Sequence, residues 1–203
     1  MKKIALIALI SFVLASSFLI YCYYNYQFWT HYSTDNFKVL VEFNGSNTKG
    51  FRGRQILIHR EFEKHMQQID LYAQNNHLEL IITSSYRLED QALGGAIVEP
   101  AKRSNHHAGF AIDFNIISNG RYYNSAQLKK SNLKNLPNNV QQFIRDIRNC
   151  AELRWGGDFA EEDAVHIDSA INLTSKNEWI SYNQECALDY SRRIPRWRLF
   201  LSN

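Results

Sequence analysis

Residues 104–114, S-N-H-H-A-G-F-A-I-D-F, leave the chain few ways to run. As a strand reached from a loop, the segment alternates faces with period two. Phe110, Ile112 and Phe114 then point towards a core, while Gly109, Ala111 and Asp113 point the other way. A carboxylate thus stands on a face whose neighbours are almost without side chains. His106 and His107 lie in the loop just upstream. A histidine and an aspartate converging beside a cleared surface is how a metal site is prepared. A third candidate lies downstream in R-W-G-G-D-F-A-E-E-D-A-V-H-I-D. There Val165 and Ile167 alternate with His166 and Asp168, again one apolar face and one that carries chemistry. Asp163 sits three residues before His166.

These residues carry a resemblance. S-x-H-x-x-G-x-A-x-D, filled by Ser104, His106, Gly109, Ala111 and Asp113, resembles the zinc-ligand motif of the D-alanyl-D-alanine carboxypeptidases. That family includes the L-alanyl-D-glutamate endopeptidases of endolysins and bacterial cell walls. W-G-G-D-F followed by D-x-x-H is similar to the second motif of the endopeptidase branch. S-S-Y-R at 84–87, with Gln91 after it, is similar to that branch's S-G-Y-R…Q segment. Ser85 stands where the family usually has glycine, and Val165 where the branch often has proline. The resemblance implies an α+β fold of the hedgehog/DD-peptidase type, a small antiparallel sheet with packed helices. It implies Zn²⁺ held by His106, Asp113 and His166, with Asp163 and Arg87 catalytic. Ser84, Tyr86, Gln91, Ser104 and Trp155 are the expected substrate contacts, and peptidoglycan peptides the expected substrate.

The chemistry of the residue types agrees. Two neutral imidazoles and one carboxylate suit Zn²⁺ and leave a fourth position open; a water held there is acidified to a pKa of about 7. Asp163 can serve as general base, with Glu161 and Glu162 as loop-charge alternatives. His107 is the rival of His106, which the motif's register selects. Arg87 reads either as a surface arginine paired with Glu89 or Asp90, or as a planar fork for a carboxylate or a polarised carbonyl. Trp155 can wall a groove.

At 203 residues the chain has room for one ordinary domain plus an extra segment. A net charge of +3 without a basic-aromatic cluster gives no reason to expect nucleic acid as partner. Met1-Lys2-Lys3 precedes an apolar run from Ile4 to Tyr24, long enough as a helix to cross a bilayer. Lysines before it and no charge within it predict a cytoplasmic N-terminus and an exported remainder in the cell envelope. Val13-Leu14-Ala15 offers a signal-peptide cleavage site. The apolar run continues past it to an aromatic belt at Tyr21–Tyr24, which favours a retained anchor. The bulky Tyr21 fits a lipoprotein site at Cys22 poorly.

Four regions are expected: a transmembrane anchor over 1–24, a spacer with a short strand over 25–53, a zinc peptidase domain over 54–173 and a C-terminal extension over 174–203. The spacing of Ile58, Phe62, His65 or Met66, Ile69 and Ala73 predicts a helix over 54–75, and L-E-L-I-I-T a strand over 78–83. Residues 37–43 read as a brief strand. A second helix should follow Pro137, with Val140, Phe143, Ile144, Ile147 and Cys150 or Ala151 as its buried stripe. Cys150 and Cys186 are the plausible disulfide pair if Cys150 is not simply packed. Trp179, Tyr182, Cys186, Leu188 and Tyr190 are candidate packing residues of the extension. Its basic end, R-R-I-P-R-W-R, suits lipid head groups, an anionic wall polymer or plain solvation. A monomer is expected.

Three functions fit this reading: an L-alanyl-D-glutamate-type endopeptidase on stem peptides, a D,D-carboxypeptidase with the same metal centre, and a zinc-containing wall-binding module without turnover. W-G-G-D-F favours the first. Retention of both Asp163 and Arg87 argues against the third.

Overall fold

The computed structural model describes residues 2–24, 31–89 and 103–199. Helix α1, Lys2–Tyr24, is apolar along its length and buries none of its most apolar stretch against the rest of the chain. The remainder is built around two long strands, β5 (Glu79–Ser84) and β6 (Ala111–Ser118), paired antiparallel with Leu80 opposite Ile116 and Ile82 opposite Phe114. Period two sends Leu80, Ile82, Ile112, Phe114 and Ile116 to one face, where all are buried. Helices α2 (Glu63–Asn75) and α3 (Asn138–Asn149) cover that face with Met66, Ile69 and Ala73 from the first and Val140, Phe143, Ile144 and Ile147 from the second. The other face of β6 is left for chemistry.

The six-stranded sheet runs β3-β5-β6-β9-β8, with β3 at Thr48–Gly50, β8 at Arg154–Trp155 and β9 at His166–Asp168; β7 (Arg121–Tyr123) extends the end of β6. It is not wholly antiparallel as expected: β3 joins β5 in parallel, Thr48 opposite Leu80. A parallel neighbour needs a long crossover. Residues 51–78 supply it, with β4 (Leu57–His59) and α2 lying between the two strands.

The expected helix over 54–75 begins only at Glu63. Before it, β4 pairs antiparallel with β2 (Leu40–Glu42), and a single 3₁₀ turn spans Arg60–Phe62. Leu57, Ile58 and His59 are all buried, so both faces of this strand are covered. Ile58 and Phe62 fitted a helical stripe by spacing, yet Ile58 reaches the same core from a strand. The His59 ring Nδ1 accepts the Glu61 N–H at 3.1 Å and starts the turn. Of the expected strand over 37–43, only Leu40–Glu42 pairs.

Helix α4, Lys176–Ser191, closes the molecule against a second apolar cluster of Phe37, Leu40, Leu57, Tyr86 and Cys186. The Asp189 carboxylate on this helix accepts the backbone N–H groups of Lys38, Val39 and Leu40 at 2.7, 2.7 and 3.0 Å. Beyond it, β10 (Ile194–Pro195) pairs with β1 (Tyr32–Ser33). Trp179, Cys186 and Tyr190 pack inward, but Leu188 faces solvent. Cys150 and Cys186 are free thiols in separate clusters: Cys150 packs on the main core at the end of α3, while Cys186 lies in the second cluster 3.5 Å from the Ala108 carbonyl.

Candidate metal centre

Three side chains from three places in the chain meet on the cleared face of β6. His106 stands in a 3₁₀ turn, Asn105–Ala108, that Gly109 terminates with φ 75. Glycine is required there twice over: the left-handed backbone disfavours other residues, and a Cβ would lie 2.6 Å from the His59 nitrogen. Asp113 follows on β6. The β6–β9 ladder sets His166 directly opposite Asp113, so the register of one antiparallel pair brings together residues 53 apart in sequence.

His106 Nε2 lies 3.2 Å from Asp113 Oδ1 and 3.3 Å from His166 Nδ1, and His166 Nδ1 lies 3.0 Å from the same Asp113 oxygen. Ligands bound tetrahedrally at about 2.0–2.1 Å stand about 3.3 Å from one another, so the spacing is that of a metal-ligand set. The tautomers fit as well. His106 Nδ1 is 2.8 Å from the Ser85 carbonyl, which can only accept, so the proton sits there and Nε2 offers its lone pair to the cluster. His166 Nε2 faces Asp168 Oδ2 at 3.3 Å, which leaves Nδ1 as its ligand atom. Three ligand atoms aimed at one point suit a single positive charge between them, a metal ion or a proton carried by His166. Burial opposes charge on His166, yet Asp113 and Asp168 push its pKa up to about 10. Burial likewise raises the Asp113 pKa, but the two imidazoles overcome it and hold this carboxyl far below the usual range. The site is built to keep positive charge.

Asp168 is itself held. It is 3 % exposed, receives Arg154 Nε at 2.9 Å and Nη2 at 2.6 Å in a two-pronged ion pair, and takes Asn105 Nδ2 at 2.7 Å. Asn105 precedes His106, and Asp168 shares a strand with His166, so one buried network fixes both imidazoles. This role of Asp168, Arg154 and Asn105 was not expected. Asp168 did show a signal, two places from His166 on the same strand face. Arg154 and Asn105 showed none, since their partner lies 14 and 63 residues away.

Asp163 lies at the end of a tight loop whose backbone is bound at both sides: its N–H donates to the Gly156 carbonyl at 2.9 Å and its carbonyl accepts the His166 N–H at 3.0 Å. A Cβ on Gly156 would stand 2.2 Å from the Asp163 carbonyl and 2.8 Å from His166 Cβ, so this glycine sets how closely the loop approaches. Burial, and then the charge of Asp113, raise the Asp163 carboxyl pKa above its ordinary value. Glu161 is exposed, and Glu162 is turned away to bind the Lys130 N–H.

Arg87 is 8 % exposed. Its Nη2 is 3.4 Å from Ser104 Oγ, and its Nε has no partner among the described residues. Burial lowers its pKa and Asp113 counteracts this, so the guanidinium keeps its charge beside the cluster. His107 stands outside the cluster; burial and then Arg87 push its pKa down to about 4, which keeps it neutral. Ser84 ends β5 opposite Asp113.

Two of the expected substrate contacts are packed inside the protein. Trp155 is 1 % exposed and its Nε1 donates to the Ala164 carbonyl at 2.9 Å, so its ring supports the loop that carries Asp163. Tyr86 packs its ring into the second apolar cluster, 5.4 Å from Tyr190. Gln91 lies outside the described residues. Ser85, where the resemblance would have glycine, is accommodated: its hydroxyl accepts the Leu57 N–H at 3.1 Å while its carbonyl orients His106. Val165, in the place of proline, offers its carbonyl to the Phe114 N–H at 2.8 Å.

Comparison with known proteins yields one family. Residues 98–169 match the family model described as D-alanyl-D-alanine carboxypeptidase. The matched span contains the whole His106, Asp113 and His166 cluster together with Asp163, and stops short of Arg87. No curated protein matches the chain.

Proposed function

Because this chain is a metallopeptidase of the zinc D-alanyl-D-alanine carboxypeptidase family, we propose that it hydrolyses peptide bonds in peptidoglycan stem peptides, in the manner of an L-alanyl-D-glutamate endopeptidase. The observation that carries the reading is the His106–Asp113–His166 cluster, with both imidazole tautomers fixed and a basic carboxylate on the adjoining loop. W-G-G-D-F and S-S-Y-R support the endopeptidase form.

His106, Asp113 and His166 would hold the metal, for which Zn²⁺ is the natural occupant of a two-imidazole, one-carboxylate set. When bound, zinc supplies an acidified water and a Lewis acid for the scissile carbonyl. Asp163 takes the proton of the attacking water and returns it to the departing amine. Its raised pKa suits both tasks better than that of an ordinary aspartate. Arg87 points charge at the oxygen that becomes negative as the carbonyl is attacked, or at a carboxylate of the peptide. Being buried and only partly hydrogen-bonded, it loses little by turning to substrate. Asp168, Arg154 and Asn105 keep the imidazoles aimed. The domain works outside the cytoplasmic membrane, held there by α1.

The family's description keeps a D,D-carboxypeptidase as the second reading. Mass spectrometry of purified wall fragments separates the two. Cleavage between L-alanine and D-glutamate, abolished by a chelator and restored by Zn²⁺, is expected. Release of terminal D-alanine alone would favour the second reading, and intact fragments in the presence of Zn²⁺ would overturn both.

A further inference from the structure

His107 follows a metal-ligand candidate in sequence, yet stands outside the cluster. It is 5 % exposed, and among the described residues neither Nδ1 nor Nε2 has a hydrogen-bond partner. Glu89 Oε1 stands 3.9 Å from Nδ1, too far for a hydrogen bond, and is engaged by Asn183 Nδ2 at 2.7 Å. Arg87 adjoins this residue. Its N–H donates to the His106 carbonyl at 3.4 Å, its Nη2 lies 3.4 Å from Ser104 Oγ, and its guanidinium is close enough to oppose charge on the His107 ring. Arg87 is itself 8 % exposed, with Nε unpartnered among the described residues. Two neighbouring side chains, each more than nine-tenths buried, thus keep polar atoms without partners. Buried polar atoms in folded proteins are nearly always bonded, so such a pair calls for a ligand that satisfies both.

The ligand's chemistry follows from what the pair offers. Arg87 brings a fixed positive charge and an Nε–H donor, and a neutral imidazole brings one further N–H on either nitrogen. Two donors and one net charge suit a carboxylate, whose two oxygens accept both. A carboxamide fits worse, because its nitrogen is a donor set against donors. In both readings of the reaction, the residue that departs as the amine carries an α-carboxylate on the carbon next to the scissile nitrogen. It is D-glutamate where the peptide continues through its side-chain carboxyl, or a terminal D-alanine. We propose that His107 is a specificity-determining residue, which together with Arg87 binds that α-carboxylate and restricts cleavage to peptides that present it free. This rests on the peptidase reading above, and it gives Arg87 the carboxylate of the peptide as its partner.

The test uses the full chain in detergent, loaded with zinc, and two synthetic peptides: N-acetyl-L-alanyl-γ-D-glutamyl-L-lysine and its counterpart with the glutamyl α-carboxyl amidated. The free acid is expected to be cleaved with kcat/KM about tenfold or more above the amide. H107F, which keeps a ring but no nitrogen, should lose that preference through a raised KM for the acid, with bound zinc still stoichiometric. H107Q, which retains an N–H donor, should keep the preference. Equal rates for acid and amide in the unaltered chain would overturn the inference and leave the endopeptidase reading in place. So would an H107F variant that slowed both peptides alike or kept the full preference. Where H107F does not fold, the acid–amide comparison on the unaltered chain still decides. If only terminal D-alanine is released, a D-alanyl-D-alanine peptide and its C-terminal amide replace the pair, and the same outcomes decide. Product binding gives a readout free of turnover. By calorimetry, γ-D-glutamyl-L-lysine should bind the zinc-loaded chain about tenfold more tightly than its α-amide, a difference that H107F abolishes. Equal affinities would overturn the inference, whereas the difference without hydrolysis of any fragment would keep the carboxylate site and remove the peptidase reading.

Discussion

Two aspartates near the candidate metal centre differ in what they touch, and the difference is measurable. Asp163 lies on the loop before His166, with burial and then the charge of Asp113 raising its pKa, so under the proposed mechanism D163A should lower kcat by about 10²–10⁴-fold while bound zinc remains stoichiometric. Loss of zinc from that variant would mean that Asp163 holds the site together instead. Asp168 faces away from the reaction and fixes the His166 ring. D168N should therefore weaken zinc binding by about 10–100-fold, read by competition with a chromophoric chelator. Unchanged affinity would show that Arg154, Asn105 and β9 alone fix the ring. Much of this was legible in the sequence. Asp113 and His166 each sit in a strand whose alternate positions are apolar, and His106 precedes the first by a motif spacing. What could not be read was support that arises only from pairing. Nothing around Arg154 announces that it lies opposite Asp168 in an antiparallel ladder.

At the scale of elements, the informative difference is β4. Ile58, Phe62, Met66, Ile69 and Ala73 form a stripe that a helix satisfies, but the first two reach the core from a strand and a 3₁₀ turn. Periodicity cannot separate these solutions, because the deciding partner is β2, 15 to 19 residues upstream by register. His59 marks the junction, stacked 5.0 Å from Phe110 and tilted against Tyr182 at 4.3 Å. Burial lowers its pKa below 6.5, so the folded chain keeps it neutral. Below about pH 6.5 the unfolded chain takes up a proton that the folded chain refuses. Stability is therefore complete at neutral pH and falls as the pH drops towards the folded pKa. Buried His65 acts in the same direction. Urea midpoints at pH 7.5 and 5.5 should show this loss, and H59N, which keeps an acceptor for the Glu61 N–H, should lose less between the two. An equal loss in both proteins would mean that the ring is protonated in the fold. The loop that carries Asp163 gives a second test at this scale. G156A forces the Asp163 carbonyl or His166 to move, since a Cβ has nowhere to go. It should reduce activity far more than its stability cost, about 1–3 kcal/mol, would explain.

For the whole molecule, the chain is closed on itself by a carboxylate near its far end. Asp189 joins α4 to the backbone of Lys38, Val39 and Leu40, 149 to 151 residues away, and Leu40 in turn begins the strand that pairs with β4. Tyr86, Cys186 and Leu57 pack beneath this clasp. Helix α4 thus seals an apolar cluster that would otherwise meet water. Truncating the carboxylate leaves three backbone donors without their acceptor, one of them buried. D189A should accordingly cost about 3 kcal/mol or more, and D189N less, because its amide oxygen can still accept. Urea unfolding of the full chain in detergent measures both. Hydrogen exchange locates the damage: amides of residues 38–42 and of α4 should lose protection before those of β5 and β6 if the clasp is a closure laid over an independently ordered sheet. Simultaneous loss everywhere would mean that the sheet cannot stand without it, and the metal centre on β6 would then depend on a residue at the opposite end of the chain.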